Sequence, residues 1–122
     1  MARGRKPINP IVKFFNGRLG VARNRPKPQE VLITGQDCYD QLVLQDGKCA
    51  LTGIELTFDK SGDKNIKIWS NASIDRIDSS IGYTRDNIHI VCTAVNLMKT
   101  DLPLTNFVKW CKYVVQHQGV LV

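Results

Sequence analysis

Residues 72–100 read ASIDRIDSSIGYTRDNIHIVCTAVNLMKT, and this pattern sets the architecture that we expect. Polar and apolar residues alternate over 72–77, as they do in a half-buried strand, and residues 87–92 have a second strand-like pattern. The residues between the two strands are rich in turn-forming types. Residues 93–100 are typical of a helix. The segment therefore predicts a hairpin with a long loop followed by a helix, within an α+β fold.

The neighbouring segments predict further helices. On the C-terminal side, Thr105 is the expected cap of an amphipathic helix that ends before Gly119. Towards the N-terminus, residues 34–46 predict another helix, and 56–67 a polar loop. The inner side of the last helix is expected to comprise Phe107, Val108, Cys111, Val114 and Val115, and the core is expected to include Trp69 and Trp110.

The start of the chain is strongly basic. The net charge is +6, yet residues 1–29 contain eight Lys or Arg and no acid, so they carry the whole excess. A short helix is expected from Asn9, weakened by two glycines at 17 and 20, with an extended basic linker behind it. Basic arms of this kind bind polyphosphates, because Lys and Arg release the condensed counterions, although a merely solvated tail is the alternative. The residues expected to bind DNA are Arg3, Arg5, Lys6, Lys13, Arg18, Arg23, Arg25 and Lys27.

Length and hydropathy restrict the remaining possibilities. With 122 residues, the chain is long enough for one compact domain, which we place at 30–122 behind a DNA-binding arm at 1–29. No apolar run approaches the roughly 20 residues that cross a bilayer, so neither a membrane partner nor a secretory signal is expected. We expect a cytoplasmic protein.

Asp75 and Asn96 are the first candidates for a metal site. Asp75 lies near the end of the first predicted strand, and Asn96 lies on the helix that follows the hairpin. A carboxylate and an amide oxygen suit a hard ion such as Mg²⁺, which keeps several waters and also binds substrate phosphate. Such a pair is common in proteins without metal, so these two residues alone leave both interpretations open.

Four short motifs give the segment a more specific meaning. They are DRID at 75–78, GY at 82–83, DN at 86–87 and NLMK at 96–99. In this order and spacing they resemble the HNH, or ββα-metal, endonucleases of phages and bacteria. The resemblance covers about residues 47–115, with the core motif at 72–100, and leaves the first thirty residues outside.

The resemblance implies a role for each matching residue. Asp75 and Asn96 would be the two metal ligands, and the cofactor would be Mg²⁺ or Mn²⁺. Asn87 would tie the long loop to the strand, since its amide both donates and accepts hydrogen bonds. Lys99 would contact phosphate or steady the site. The catalytic set is therefore expected to comprise Asp75, Arg76, Asn87, His89 and Lys99.

Arg76 departs from the family pattern, which has a water-activating histidine at this position. An arginine stays protonated near neutral pH, so it is a poor general base and better suited to clamping the scissile phosphate. His89 is then the first candidate for the base, metal-bound hydroxide the second and Tyr83 the third. For His89, a partly buried strand histidine with a hydrogen-bond partner is an equally open interpretation.

The cysteines depart from the family as well. Many relatives pin the hairpin with zinc held by two C-x-x-C knuckles, but here Cys49 is followed by Thr52 and Cys92 by Val95. Two thiols cannot complete a tetrahedral structural site. We therefore expect no structural zinc, and Cys49 and Cys92 as neighbours in the core.

The resemblance predicts a metal-dependent endonuclease that cuts double-stranded DNA, of a phage homing or restriction type. The alternative is a catalytically inactive module of the same fold that only binds nucleic acid. Because one such site cuts one strand, double-strand cleavage would require a homodimer. If the chain is phage-encoded, the cytoplasm would be that of the host cell.

Overall fold

A computed structural model describes residues 9–25, 30–60, 62–63 and 65–119. In this part of the chain it shows a small α+β fold with four α-helices and one two-stranded antiparallel sheet, so the predicted fold class is confirmed at that level. Arg3, Arg5, Lys6 and Lys27 lie outside the described residues. None of the described helices combines the length and the apolar character needed to span a membrane.

The hairpin and its following helix form as predicted. Strand β1 spans Ala72–Arg76 and pairs with strand β2, Ile88–Cys92, in the register Ala72 to Cys92 and Arg76 to Ile88. A single 3-10 turn, Arg85–Asn87, closes the loop between them. Helix α3, Thr93–Lys99, begins directly after β2 and packs against both strands. The chain thus brings the end of α3 back beside β1.

Helix α1, Pro10–Arg23, is longer than predicted. It continues through both glycines because its inner face buries Phe15, Leu19 and Ala22 in the core. A buried Phe or Leu side chain contributes about 1.5–3 kcal/mol, which exceeds the cost of about 1 kcal/mol for each helical glycine. The part of the basic segment that forms α1 therefore packs onto the folded body.

Helix α2, Gly35–Leu44, packs against α1 and supplies Cys38 and Leu42 to the same core. Thr34 caps it, with Asp37 completing the reciprocal pair of cap hydrogen bonds. Gly35 sits directly against α1, where its N–H donates to Asn16 Oδ1 at 2.9 Å. This close approach fixes the position of α1 on the domain.

We predict opposite effects for two glycine-to-alanine substitutions. In Gly35→Ala, the new methyl group would meet the backbone oxygen of Val12 and the side chain of Asn16, so the free energy of unfolding should fall by about 1–3 kcal/mol. Gly20→Ala is the matched control, because nothing lies within 4 Å of its added methyl, and helical alanine should stabilise by about 0.5–1 kcal/mol. Urea unfolding measures both, and equal gains would contradict the close approach.

Helix α4, Leu104–Gln118, differs from the prediction in two respects. It begins after Pro103 with no side-chain cap, so Thr105 lies inside the helix instead of capping it. Its only buried residue is Phe107, whereas Val108 and Val114, predicted on the inner side, are 55% and 60% exposed. Trp69 and Trp110 are likewise exposed, so their assignment to the core was wrong. The amphipathic pattern identified the helix but not how much of it the small domain covers.

Candidate active site

Asp75 is the centre of a buried cluster of ionisable side chains. Strand pairing places it directly opposite His89, whose Nε2 lies 2.7 Å from Asp75 Oδ2. Lys99, the last residue of α3, places its Nζ 3.3 Å from the same oxygen. The side chains of Lys99 and Asp75 are only 1% and 6% exposed. Two partners therefore hold the carboxylate, and the Lys99 ammonium steadies Asp75 from inside the domain.

Asn96 lies one helical turn before Lys99 and reaches the same side of the hairpin. Its Nδ2 donates a short hydrogen bond to Ser73 Oγ on β1. Ser73 and Asp75 are two residues apart in the strand, so they lie on one face of the sheet. Asp75 and Asn96 consequently line one open pocket of about 190 Å³.

Two arginines line this pocket together with Asp75 and Asn96. They are Arg76, from β1, and Arg25, which follows the end of α1. The other lining residues are Ile74, Ser79, Tyr83, Leu97, Thr100 and Asp101. Guanidinium groups bind phosphate oxygens through paired hydrogen bonds. The pocket thus combines oxygen donors suited to a hard cation with groups suited to a phosphate.

Arg76 is fixed by the loop of the hairpin. Its Nη1 donates to the backbone oxygens of Ser79 at 2.7 Å and Ile81 at 3.3 Å. The guanidinium carbon also lies 5.3 Å from the centre of the Tyr83 ring, a cation–π contact. These contacts use one nitrogen and one face of the guanidinium, so the remaining N–H groups are available to a ligand in the pocket.

The side-chain amide of Asn87, just before β2, bonds to residues of the hairpin loop, where the resemblance implied a tie between the loop and the strand. Its Oδ1 accepts from the backbone N–H of Asp78 at 2.8 Å, and its Nδ2 donates to the backbone oxygens of Asp78 and Gly82, both at 2.9 Å. Within the same loop, the hydroxyl and backbone N–H of Ser80 donate to the Asp78 carboxylate and hold the pKa of Asp78 below its usual value. Asn87 does not line the pocket, so it acts on the site through the loop.

The two side chains considered as a general base lie in different places. His89 points its Nε2 at Asp75 and is not among the residues that line the pocket. Tyr83 lines the pocket, but it is buried beneath Arg76. His89 is thus a partly buried strand histidine with a hydrogen-bond partner, which was the second interpretation, and its geometry suits the positioning of Asp75.

The donor set of the pocket fits a hard divalent cation. A carboxylate has about four acceptor positions; here Oδ2 is used by His89 and Lys99, while Oδ1 has only the Lys99 ammonium at 3.5 Å. The side-chain oxygen of Asn96 accepts no hydrogen bond from a described residue. Mg²⁺ is commonly held by one or two protein oxygens, with water and phosphate as its other ligands. The described residues hold no cluster of three or more His, Cys, Asp or Glu placed for a metal.

Cys49 and Cys92 are neighbours in the core, which confirms that prediction. The backbone N–H of Cys92 donates to Cys49 Sγ at 3.3 Å. Although burial raises the pKa of Cys49, hydrogen bonds from Thr52 and from backbone N–H groups bring that pKa below its usual value. By contrast, burial raises the pKa of Cys38 to about 12, so this thiol stays protonated.

The described basic residues of the first segment all lie on α1 or just beyond it, and all are exposed. Arg18 stacks over the ring of Phe14, with its guanidinium carbon 4.8 Å from the ring centre. Arg23 donates to the backbone oxygen of Ile33 at 3.4 Å, and Arg25 reaches the pocket. Lys13 is the fourth. Of these four cations, Arg25 is the one that lines the pocket with Asp75.

Comparisons of the chain with protein-family models, with curated proteins and with solved structures give no match.

Asp101 and Ser73 were not predicted as members of the site. Asp101 brings a second carboxylate to the pocket, because the chain turns sharply after α3 at Thr100, which has a positive φ of 50°. An acid two residues beyond Lys99 was the available signal, but the turn that aims it could not be read locally. Ser73 is the hydrogen-bond partner of Asn96. Its position two residues before Asp75, on the same face of the strand, could have indicated this contact.

Proposed function

We propose that this chain is a metal-dependent DNA endonuclease of the HNH type, in which β1, β2 and α3 form the ββα-metal core. One observation carries the proposal. Asp75 and Asn96, from the hairpin and from the helix that follows it, line one open pocket together with Arg25 and Arg76. Such a pocket suits hydrolysis of a phosphodiester, because its oxygen ligands can hold a cation and its guanidinium groups can bind the negatively charged phosphate.

In this proposal Asp75 and Asn96 would hold Mg²⁺ or Mn²⁺, which when bound stabilises negative charge on the phosphate during hydrolysis. His89 and Lys99 keep the Asp75 carboxylate in one orientation. Arg76 binds the scissile phosphate through the N–H groups that the loop leaves available. Because these donors are already in place, the site can stabilise the transition state without reorganising during the reaction.

The positions of the side chains around the pocket indicate which of them could act as the general base. His89 and Lys99 act on Asp75 from the interior and do not face the pocket. Both are therefore positioning residues in this proposal, rather than groups that touch the substrate. Asp101 is the carboxylate other than Asp75 that lines the pocket among the described residues, and it is exposed.

The proposal is tested by nicking of supercoiled plasmid in the presence of magnesium. Asn96→Ala should reduce the nicking rate to background, because it removes one of the two ligands. Ser73→Ala is the matched control, since it breaks the same Ser73–Asn96 hydrogen bond but keeps the Asn96 oxygen. It should retain most of the activity. Equal losses in the two variants, at equal stability, would show that Asn96 matters only as a packing contact.

A second function, DNA binding without cleavage, is favoured by one observation. The Asp75 carboxylate is already paired with Lys99 and His89, so the fold satisfies its charge without a cation. A binding module would show affinity that falls steeply with salt and no cut product under any divalent ion. The wild-type protein in the plasmid assay separates the two functions.

The number of cut strands depends on the assembly of the protein. One site of this kind hydrolyses one strand, so linear plasmid formed without accumulation of nicked circles would indicate a two-fold symmetric homodimer on double-stranded DNA. The proposed place of action is the cytoplasm.

A further inference from the structure

A second cavity, of about 360 Å³, lies between α1 and residues 59–60 and 66–71. Three of its lining residues are cations, Arg18, Lys60 and Lys67, and one is an acid, Asp59. The remaining lining residues are Phe14, Ile66, Ile68, Asn71 and Thr93. The cavity therefore carries an excess of positive charge and suits an anionic ligand.

The walls of this cavity are fixed by the fold. Asn71, which is only 4% exposed, accepts from the hydroxyl of Thr57 at 2.6 Å and from the backbone N–H of Asp59 at 3.1 Å. Its own amide donates to the backbone oxygen of Asp59 at 2.7 Å. On the opposite wall, the Phe14 ring supports the guanidinium of Arg18. The backbone at Asp59 and the guanidinium of Arg18 are therefore held in place, whereas the side chains of Lys60 and Lys67 are exposed.

Two elements connect this cavity with the pocket at Asp75. Strand β1 follows directly after Asn71, which lines the cavity, and the four residues from there to Asp75 span about 13 Å when extended. Helix α1 carries Arg18, which lines the cavity, and ends at Arg23, two residues before Arg25, which lines the pocket. The cavity and the pocket are therefore joined by two short stretches of chain.

We propose that the cavity is a second binding site for a DNA backbone phosphate, held by Arg18, Lys60 and Lys67. This inference rests on the proposed function, since it takes the pocket at Asp75 as the place of the scissile phosphate. The second phosphate would lie close to the first on the same duplex, because both sites adjoin α1 and β1. The site fixes where the backbone lies relative to Asp75, without reading its sequence.

The salt dependence of DNA binding tests the site. In a Lys60→Gln/Lys67→Gln double variant, the slope of log K against log salt should flatten by about 0.9 for each phosphate that the protein no longer neutralises. The matched control is Lys109→Gln/Lys112→Gln, which removes two exposed lysines of α4 and should leave the slope unchanged. Any short labelled duplex serves as the probe. Equal flattening in both variants would overturn the proposal, because it would reflect total charge alone.

The same proteins in the plasmid assay keep the two proposals apart. If the wild type does not nick but only the Lys60/Lys67 variant flattens the slope, the nuclease fails and the binding site stands. If the wild type nicks but the slopes of the two variants match, the binding site fails and the nuclease stands. With an active enzyme, ethylation of one phosphate near the nick, other than the scissile phosphate, should suppress cleavage by the wild type. Suppression that persists unchanged in the Lys60/Lys67 variant would also reject the site.

Discussion

Asp75→Asn is expected to lower the free energy of unfolding by about 3–5 kcal/mol, because it leaves the Lys99 ammonium buried without a counter-charge. Lys99 is 1% exposed, and Asp75 is its ionic partner among the described residues. The asparagine has nearly the shape of the aspartate, so the loss reports charge rather than packing. Urea unfolding with an unchanged m-value measures it.

The matched experiment is a double-mutant cycle with Lys99→Met. The double variant Asp75→Asn/Lys99→Met should be more stable than Asp75→Asn alone, because neither charge is then left unpaired in the interior. A strictly additive cycle would show that the two side chains do not interact in solution. The cycle also separates stability from activity, since the double variant can be folded and still lack its metal ligand.

The buried Asp75–Lys99 pair favours one of the two roles expected for Lys99. Lys99 was expected either to contact phosphate or to steady the site, and its burial against Asp75 favours the second role. A ligand carboxylate that is oriented in advance loses little freedom when a cation binds. The charge pair that satisfies Asp75 in the free protein thus also prepares it for the proposed metal.

The local pattern predicted the elements of the hairpin region well. Alternation over 72–77, the polar loop and the strand-like run up to Cys92 correspond to β1, the loop and β2 in the structure. The role of the Asn87 amide in holding the loop was expected from the family resemblance rather than from the local pattern. These features depend on contacts between residues that are near in sequence.

Long-range packing accounts for what the sequence did not predict. The length of α1 depends on α2, where Gly35 lets the two helices approach closely. The exposure of Trp110 depends on how little of the domain reaches α4. The composition of the pocket likewise depends on separate segments, since Arg25 comes from the end of α1 and Asp101 from the turn after α3. Local periodicity in the sequence does not predict contacts between residues that are far apart in the chain.

Arg76→Lys is expected to reduce the rate of magnesium-dependent nicking by about 10²–10³-fold, the usual cost of losing one preorganised donor to the transition state. A lysine ammonium has three donors on one nitrogen, so two bonds to the carbonyls of Ser79 and Ile81 would leave one donor, and the paired donors that a guanidinium offers to a phosphate would be lost. DNA affinity should change little, because the positive charge remains. Single-turnover nicking rates and equilibrium binding measure the two effects separately.

Arg85→Lys is the matched control, because Arg85 is exposed, pairs with Asp37 at 3.4 Å and does not line the pocket. It should leave the nicking rate unchanged. If Arg76→Lys nicks slowly but keeps its DNA affinity and stability, the guanidinium stabilises the transition state. An arginine that only held the loop in place would lower stability as well when replaced. An Arg76→Lys variant that nicks at the wild-type rate would confine Arg76 to holding the loop, and the phosphate would then be bound by Arg25 instead.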